Sequence, residues 1–492
     1  MAQVIAVLIS ALLMWAAFPP LGLGVLAFVA PAPFLWSLRN TERAGSAFGL
    51  GFLWGAVFFG GLLFYVRLVG MVAWIPLVAW LATSAALYAG LVWSFRLWPL
   101  TRWYLITIGG WALWELIRTH FPFGGFPWGG LGYAAGGNPG AIGSVQWIGA
   151  SGWSVLAIAV AAGLVLFFED RANWRYVVDP GVVVLLLVLG GGLFAPNPGG
   201  PVIRAAIVQG NSPCPQTHCQ NENKRIYESH LELTRTLEPG TVDLVVWPEN
   251  STGSPYEPVG NEIVREEIAE EARRLGAYML VSGTRGVSKE EFANVNVVFD
   301  TTGEVIGEYL KRHPVPFGEF VPMRGLLNFI PQLDQVPRDM VRGDGPVVFQ
   351  LPDGVLGSVI SFEGGFPEYL RDEVREGAEL MVVATNESTW GDTWASDQFL
   401  AMTRVNAAAI GQDLIHAAIT GRSAFVSASG ALTEATDLLV PDVRIADVRY
   451  RTGAPTIYAR FGDLLVYVAI FAGIAAVAAP GESRPESWRR SY

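Results

Sequence analysis

Through the first 194 residues, long apolar runs alternate with short polar connections. The runs are 2–17, 21–38, 47–65, 72–93, 103–117, 142–168 and 177–194, with one more at 464–479. Each approaches the roughly 20 residues that carry a helix across a bilayer, so the pattern predicts about eight spanning helices. Between residues 197 and 461 the apolar runs shorten to strand length and fill with β-branched residues. They lie at 202–208, 243–247, 277–282, 295–299, 355–361, 380–384 and 414–418. Amphipathic helical patterns at 262–275, 368–377 and 398–410 separate several of them. That alternation predicts an α/β domain, a sheet covered by helices. Proline and glycine clusters at 197–201 and 453–455 mark its borders. The expected organisation is a helical membrane domain over 1–196, an α/β domain over 197–461, and a last helix with a tail over 462–492.

Composition agrees with a membrane half. Hydrophobic residues make up 51% of the 492 and charged residues only 16%, against about 25% in an ordinary soluble protein. Mean hydropathy is +0.36. Threading the helices from a cytoplasmic N-terminus puts Arg39, Arg43, Arg96, Arg102, Arg171, Arg175, Arg484, Arg489 and Arg490 on the cytoplasmic side. Only Arg67 and Arg118 flank the opposite loops. This positive-inside bias predicts that 197–461 lies outside the cytoplasm. The first apolar run lacks a basic leader and continues into the next, so it is expected to stay on the chain. A net charge of −11 argues against a nucleic-acid partner.

The outer segment carries the candidate chemistry. Glu249 ends the run Val245-Val246-Trp247-Pro248. A carboxylate at a buried strand end is partly desolvated, which raises its pKa and suits a general base. Its structural alternative is a helix cap. Lys311 ends Glu308-Tyr309-Leu310, where an ammonium would stabilise a developing oxyanion; the alternative is a solvated surface lysine. The stiff loop Pro314-Val315-Pro316-Phe317-Gly318 then brings a second carboxylate, Glu319. Ser361 follows the strand pattern Gly357-Ser358-Val359-Ile360. A side chain just past a strand sits at a turn, and the Phe362 N–H beyond it can face an oxyanion. Here the alternative is a cap on the next helix. Cys214 and Cys219 are expected to pair in an oxidising compartment, a metal site through His218 being the weaker reading. Glu115, inside an apolar helix, is a functional candidate or a partner for Arg118 or a backbone amide.

In their order Glu249, Lys311 and Ser361 resemble the glutamate–lysine–cysteine triad of the nitrilase, or carbon–nitrogen hydrolase, superfamily. The membrane half narrows the resemblance to the apolipoprotein N-acyltransferase family. It is carried by Phe123-Gly124-Gly125-Phe126-Pro127-Trp128-Gly129 and Leu131-Gly132-Tyr133, by Trp247-Pro248-Glu249-Asn250, and by Lys311-Arg312-His313. Val315-Pro316-Phe317-Gly318-Glu319-Phe320-Val321-Pro322 extends it, as do Asn386, Trp390-Gly391-Asp392, Gln398, Arg404 and Thr420-Gly421. The resemblance implies an eight-helix membrane bundle with an extracytoplasmic nitrilase-like αββα sandwich, in the inner membrane. It implies acyl transfer from a phospholipid to the N-terminal amine of a diacylglyceryl-cysteine lipoprotein, with no cofactor and no metal. Glu249 would be the base, Lys311 and the Phe362 N–H the oxyanion donors. Glu319 would tune Lys311 or the nucleophile, and Glu363 is retained beside it. Where the family has cysteine and tyrosine, this chain has Ser361 and Phe362. Three alternatives follow: a divergent paralogue with little transfer, a serine-using enzyme, or a cysteine-to-serine substitution. A non-catalytic lipid- or lipoprotein-binding partner protein and a soluble amidohydrolase are the competing classes.

Overall fold

The computed structural model describes residues 1–194, 199–217, 219–327 and 329–480. His218, the basic residues Arg484, Arg489 and Arg490, and residues 197 and 198 of the 197–201 border lie outside the described residues. The chain forms two compact units. One comprises Met1–Phe64, Trp74–Phe194 and the chain from Phe461; the other comprises Tyr65–Ala73 and Ala195–Arg460.

The first unit is helical. By length and composition, Ala44–Leu62, Met71–Ser94, Ile142–Glu169 and Arg171–Leu193 could each cross a membrane. Ala2–Ala16, Gly24–Arg39 and Leu464–Ala478 are apolar but shorter. Leu100–His120, which holds the 103–117 run, also carries Arg102, Glu115 and Arg118. Small residues let these helices approach closely, as expected where apolar burial cannot drive association. A Cβ at Gly51 would meet Ala86 and Ala89, and one at Gly109 would meet Ala469 and Gly473. Val182, Leu185, Leu186 and Leu189 are exposed along Arg175–Leu193, a surface that suits lipid rather than water. Glu115 resolves onto a backbone partner: it accepts the Leu131 N–H at 2.9 Å. Arg118, 2% exposed, donates to the Phe126 and Trp128 carbonyls at 2.9 and 2.5 Å.

The second unit is a nitrilase-like α/β sandwich. Its strands are β1 (Val202–Gln209), β2 (Leu244–Thr252), β3 (Tyr278–Gly286), β4 (Glu291–Phe299), β5 (Val305–Leu310), β6 (Asp339–Met340), β7 (Val348–Leu351), β8 (Gly354–Ile360), β9 (Leu380–Thr385), β10 (Asp413–Ala418), β11 (Ala424–Val426), β12 (Leu432–Thr433) and β13 (Asp442–Arg449). One sheet runs β13-β1-β2-β3-β4-β5, with β6 on β4; the other runs β12-β11-β10-β9-β8-β7. β2 packs across on β9 and β10. β1, β2 and β3 are mutually parallel, as are β8, β9 and β10. Buried on both faces, these strands read as unbroken apolar runs.

Helices close the outer faces. Glu262–Leu275 starts at Asn261, whose side chain accepts the Ile263 and Val264 N–H groups, and stops at Gly276, φ +65°. That is the chemistry both helix ends require. Its Val264, Ile268, Ala272 and Leu275 pack with Tyr227 and Leu231 of Glu222–Thr234 against Trp247, Met279 and Val295. At the site end of this unit, Cys214 and Cys219 are joined in a disulfide.

Candidate active site

Three strand ends supply the centre. Glu249 lies near the carboxyl end of β2, Lys311 directly follows β5, and Ser361 directly follows β8. Glu249 is 3% and Lys311 1% exposed. The Lys311 ammonium donates to Glu249 Oε1 at 3.1 Å and to Glu319 Oε1 at 2.7 Å. Glu319 reaches this point because its other oxygen accepts the Val315 N–H at 2.8 Å, closing the proline-rich loop on itself. The Ser361 hydroxyl lies near enough to the Glu249 carboxylate to favour its charged form. Ser361 has φ 56°, and Asn250 and Phe317, beside the two glutamates, have φ 62° and 63°. Left-handed backbone at ordinary residues costs on the order of 1–3 kcal/mol each and collects at functional sites.

Burial pushes the Glu249 carboxyl above the usual carboxylate range. Lys311 opposes this, Glu319 adds to it, and hydrogen bonds from Lys311 and Ser361 reduce it. For Lys311, burial alone would lower the pKa. The charges of Glu249 and Glu319 more than offset that and hold the ammonium above the ordinary lysine value. The site therefore pairs a strengthened carboxylate base with a permanent cation beside a hydroxyl. That set can deprotonate a nucleophile and stabilise an oxyanion.

Glu363 stands apart from the reacting groups. Fully buried, it accepts the N–H groups of Arg312 (2.5 Å), His313 (2.9 Å) and Ile360 (2.8 Å), and the Tyr309 hydroxyl at 2.8 Å. It thereby ties the strand end bearing Lys311 to the turn bearing Ser361. The Phe362 ring packs in an aromatic group, 5.7 Å from His313 and 4.9 Å from Phe366. Burial, helped by Lys311 and Arg342, pushes the His313 imidazole down to about 4, so it is neutral near pH 7.

Two further groups complete the site. Asn294, on β4, donates to Glu249 Oε1 at 3.2 Å and to Glu319 Oε1 at 2.7 Å. The Asn386 backbone N–H donates to Glu249 Oε2 at 2.8 Å. The sequence reading missed Asn294: two buried amides, Asn294 and Asn296, interrupt β4, and nothing local says which one meets the glutamates. The 386–390 segment is held from outside: the Gln216 N–H, inside the Cys214–Cys219 loop, donates to the Ser388 carbonyl at 3.1 Å.

Comparison with known proteins places the chain. The family model described as apolipoprotein N-acyltransferase N-terminal domain matches residues 10–163. The one described as carbon-nitrogen hydrolase matches residues 204–458. An apolipoprotein N-acyltransferase of Geobacter metallireducens is 31% identical, over 96% of this chain and 94% of that protein. One of Methylococcus capsulatus is 30% identical over 77% and 74%. Among solved structures, an amidase from Nesterenkonia sp. is 17% identical, with a TM-score of 0.39 over 53% of this chain and 92% of that one. With the nitrilase-like sandwich, the helical unit and a relative of this identity along nearly its whole length, the chain belongs to the apolipoprotein N-acyltransferase family.

Proposed function

We propose that this chain moves an acyl group from a phospholipid to the N-terminal amine of a diacylglyceryl-cysteine lipoprotein, with Ser361 as the acyl carrier. The convergence of Glu249, Lys311 and Glu319 on one buried centre, with the Ser361 hydroxyl acting on Glu249, carries this reading. In the first half, Glu249 takes the hydroxyl proton as the oxygen attacks the phospholipid ester carbonyl. Lys311 and the Phe362 N–H stabilise the oxyanion. The ester bond to glycerol breaks, the proton passes to the departing lysophospholipid, and an acyl-serine ester remains. In the second half the lipoprotein amine attacks that ester while Glu249 takes its proton. The amide forms, and the proton returns to Ser361. The helical unit would span the bilayer eight times and hold the α/β unit outside the cytoplasm, presenting both lipids within the membrane.

A hydroxyl is harder to ionise than a thiol, whose pKa is about 8.5. An activation cost of ~5 kcal/mol slows a step more than a thousandfold. Turnover is therefore expected to be slow. A second reading follows from the same position: a protein that binds the lipidated substrates without turning them over. The test incubates the purified full chain in phospholipid micelles with a diacyl lipopeptide and follows triacyl product and chain mass. Slow product, lost in Ser361→Ala and accelerated about a thousandfold in Ser361→Cys, supports acyl transfer. Lipopeptide binding with no product from the parent or from Ser361→Cys supports the second reading and overturns the first.

A further inference from the structure

Glu387 follows Asn386, the residue whose N–H holds Glu249 Oε2. It is 2% exposed, and its Oε1 lies 3.4 Å from Nε2 of the fully buried His416 on β10. On the other side of the ring, Nδ1 lies 3.0 Å from the Thr403 hydroxyl, which donates to the Leu400 carbonyl at 3.1 Å. Nε2 faces a carboxylate oxygen in a dry interior, and two lone pairs do not stay opposed there without a proton between them. Nε2 therefore carries a proton directed at Glu387 Oε1, and Nδ1 is left to the Thr403 hydroxyl.

The surroundings fit a fixed rather than a mobile pair. Glu387 Oε2 has no hydrogen-bond partner, and Gly421 leaves it room that any Cβ would take. The Phe399 ring lies 5.3 Å from His416 and 5.8 Å from Trp390, whose ring Tyr65 meets at 5.7 Å. Tyr65 is a further titratable group that interacts with Glu387. Lys311 and Glu319 are the charged groups facing Glu249 itself.

We propose that Glu387 and His416 are positioning residues, a buried hydrogen-bonded pair that fixes the 386–390 segment so that the Asn386 N–H stays on Glu249. A hydrogen bond to the charged form of a carboxyl favours that form. Loosening the segment therefore makes Glu249 harder to ionise. The purpose of the pair rests on the acyl-transfer reading, but its test does not use acyl transfer.

The experiment takes the full chain in detergent micelles with its disulfide intact and introduces a thiol by Ser361→Cys. The pH profile of iodoacetamide alkylation reports the first ionisation of the thiol–Glu249 pair. Glu387→Gln and His416→Gln should each move the low-pH limb up by about one pH unit, the worth of one hydrogen bond to a charged group. The double variant should move it no further than the larger single, because both act through one contact. Thr403→Val, which keeps the Glu387–His416 contact but removes the hydroxyl at Nδ1, should move it in the same direction by less. An unmoved limb in singles that keep the parent unfolding midpoint overturns the proposal, as does an additive double. If a single variant fails to fold, an unmoved limb in Thr403→Val overturns it as well. A shifted limb in a chain that makes no triacylated product leaves the pair standing and removes the acyl-transfer reading.

Discussion

Glu373 converts its surroundings into a pH dependence. It is fully buried, accepts the Val347 N–H at 3.1 Å and lies 3.5 Å from Arg312. Burial raises its pKa from 4.5 to about 8; Arg312 opposes the rise and Glu363 adds to it. Between those values the folded chain keeps a proton that the unfolded chain releases. The stabilising contribution is complete below about 4.5 and is lost as pH rises through about 8. Glu373→Gln should flatten the fall in unfolding midpoint across that window; parallel curves for parent and variant would refute it. Lys311 gives the opposite test. Lys311→Met leaves Glu249 and Glu319 facing each other without a cation and should cost about 3–5 kcal/mol in chemical denaturation. The loss should be smallest at low pH, where a proton can replace the missing charge. Acid and base letters at strand ends were readable in the sequence because the residue types announce chemistry. Asn294 was not, since only the register of β4 against the end of β5, where the Lys311 N–H meets the Asn294 carbonyl at 2.9 Å, carries its amide to both glutamates.

Elements were readable in proportion to how locally they are determined. The 262–275 helix has its cap, its acidic first turn and its closing glycine within its own sequence, and it forms over those residues. Asn261→Ala should cost about 1 kcal/mol of stability by denaturant titration; no change would mean the capping bonds are matched by water. β13 was missed although its alternation is a strand signal. Its Asp442–Arg449 segment alternates charged and apolar residues at the edge of a sheet, and its pairing with β1 spans most of the α/β unit. The short β7 and the helix Glu222–Thr234 likewise depend on distant surfaces for their existence. In the helical unit the 103–117 run sits inside a helix extended by polar residues at both ends, so hydropathy alone gave its centre but not its bounds.

For the whole molecule, hydropathy separated a helical unit from an α/β unit, because burial in lipid and burial in a sheet leave different periods. No local pattern announces that Tyr65–Ala73, between two apolar helices, belongs with the α/β unit. That follows from contacts such as Tyr65 on Trp390, more than 300 residues later in the chain. The Cys214–Cys219 bond is itself local, but its ring reaches the distant 386–390 segment through Gln216 on Ser388. Closing so short a ring is worth about 2 kcal/mol, and Cys214→Ser with Cys219→Ser should lower stability by about that amount and speed proteolysis near Trp390. Unchanged cleavage would show the ring to be ornamental to that rim. Because Gln216 leans on Ser388 from inside the ring, the final setting of the 386–390 segment should await thiol oxidation, tying the chain's maturation to the redox machinery of whichever compartment receives it.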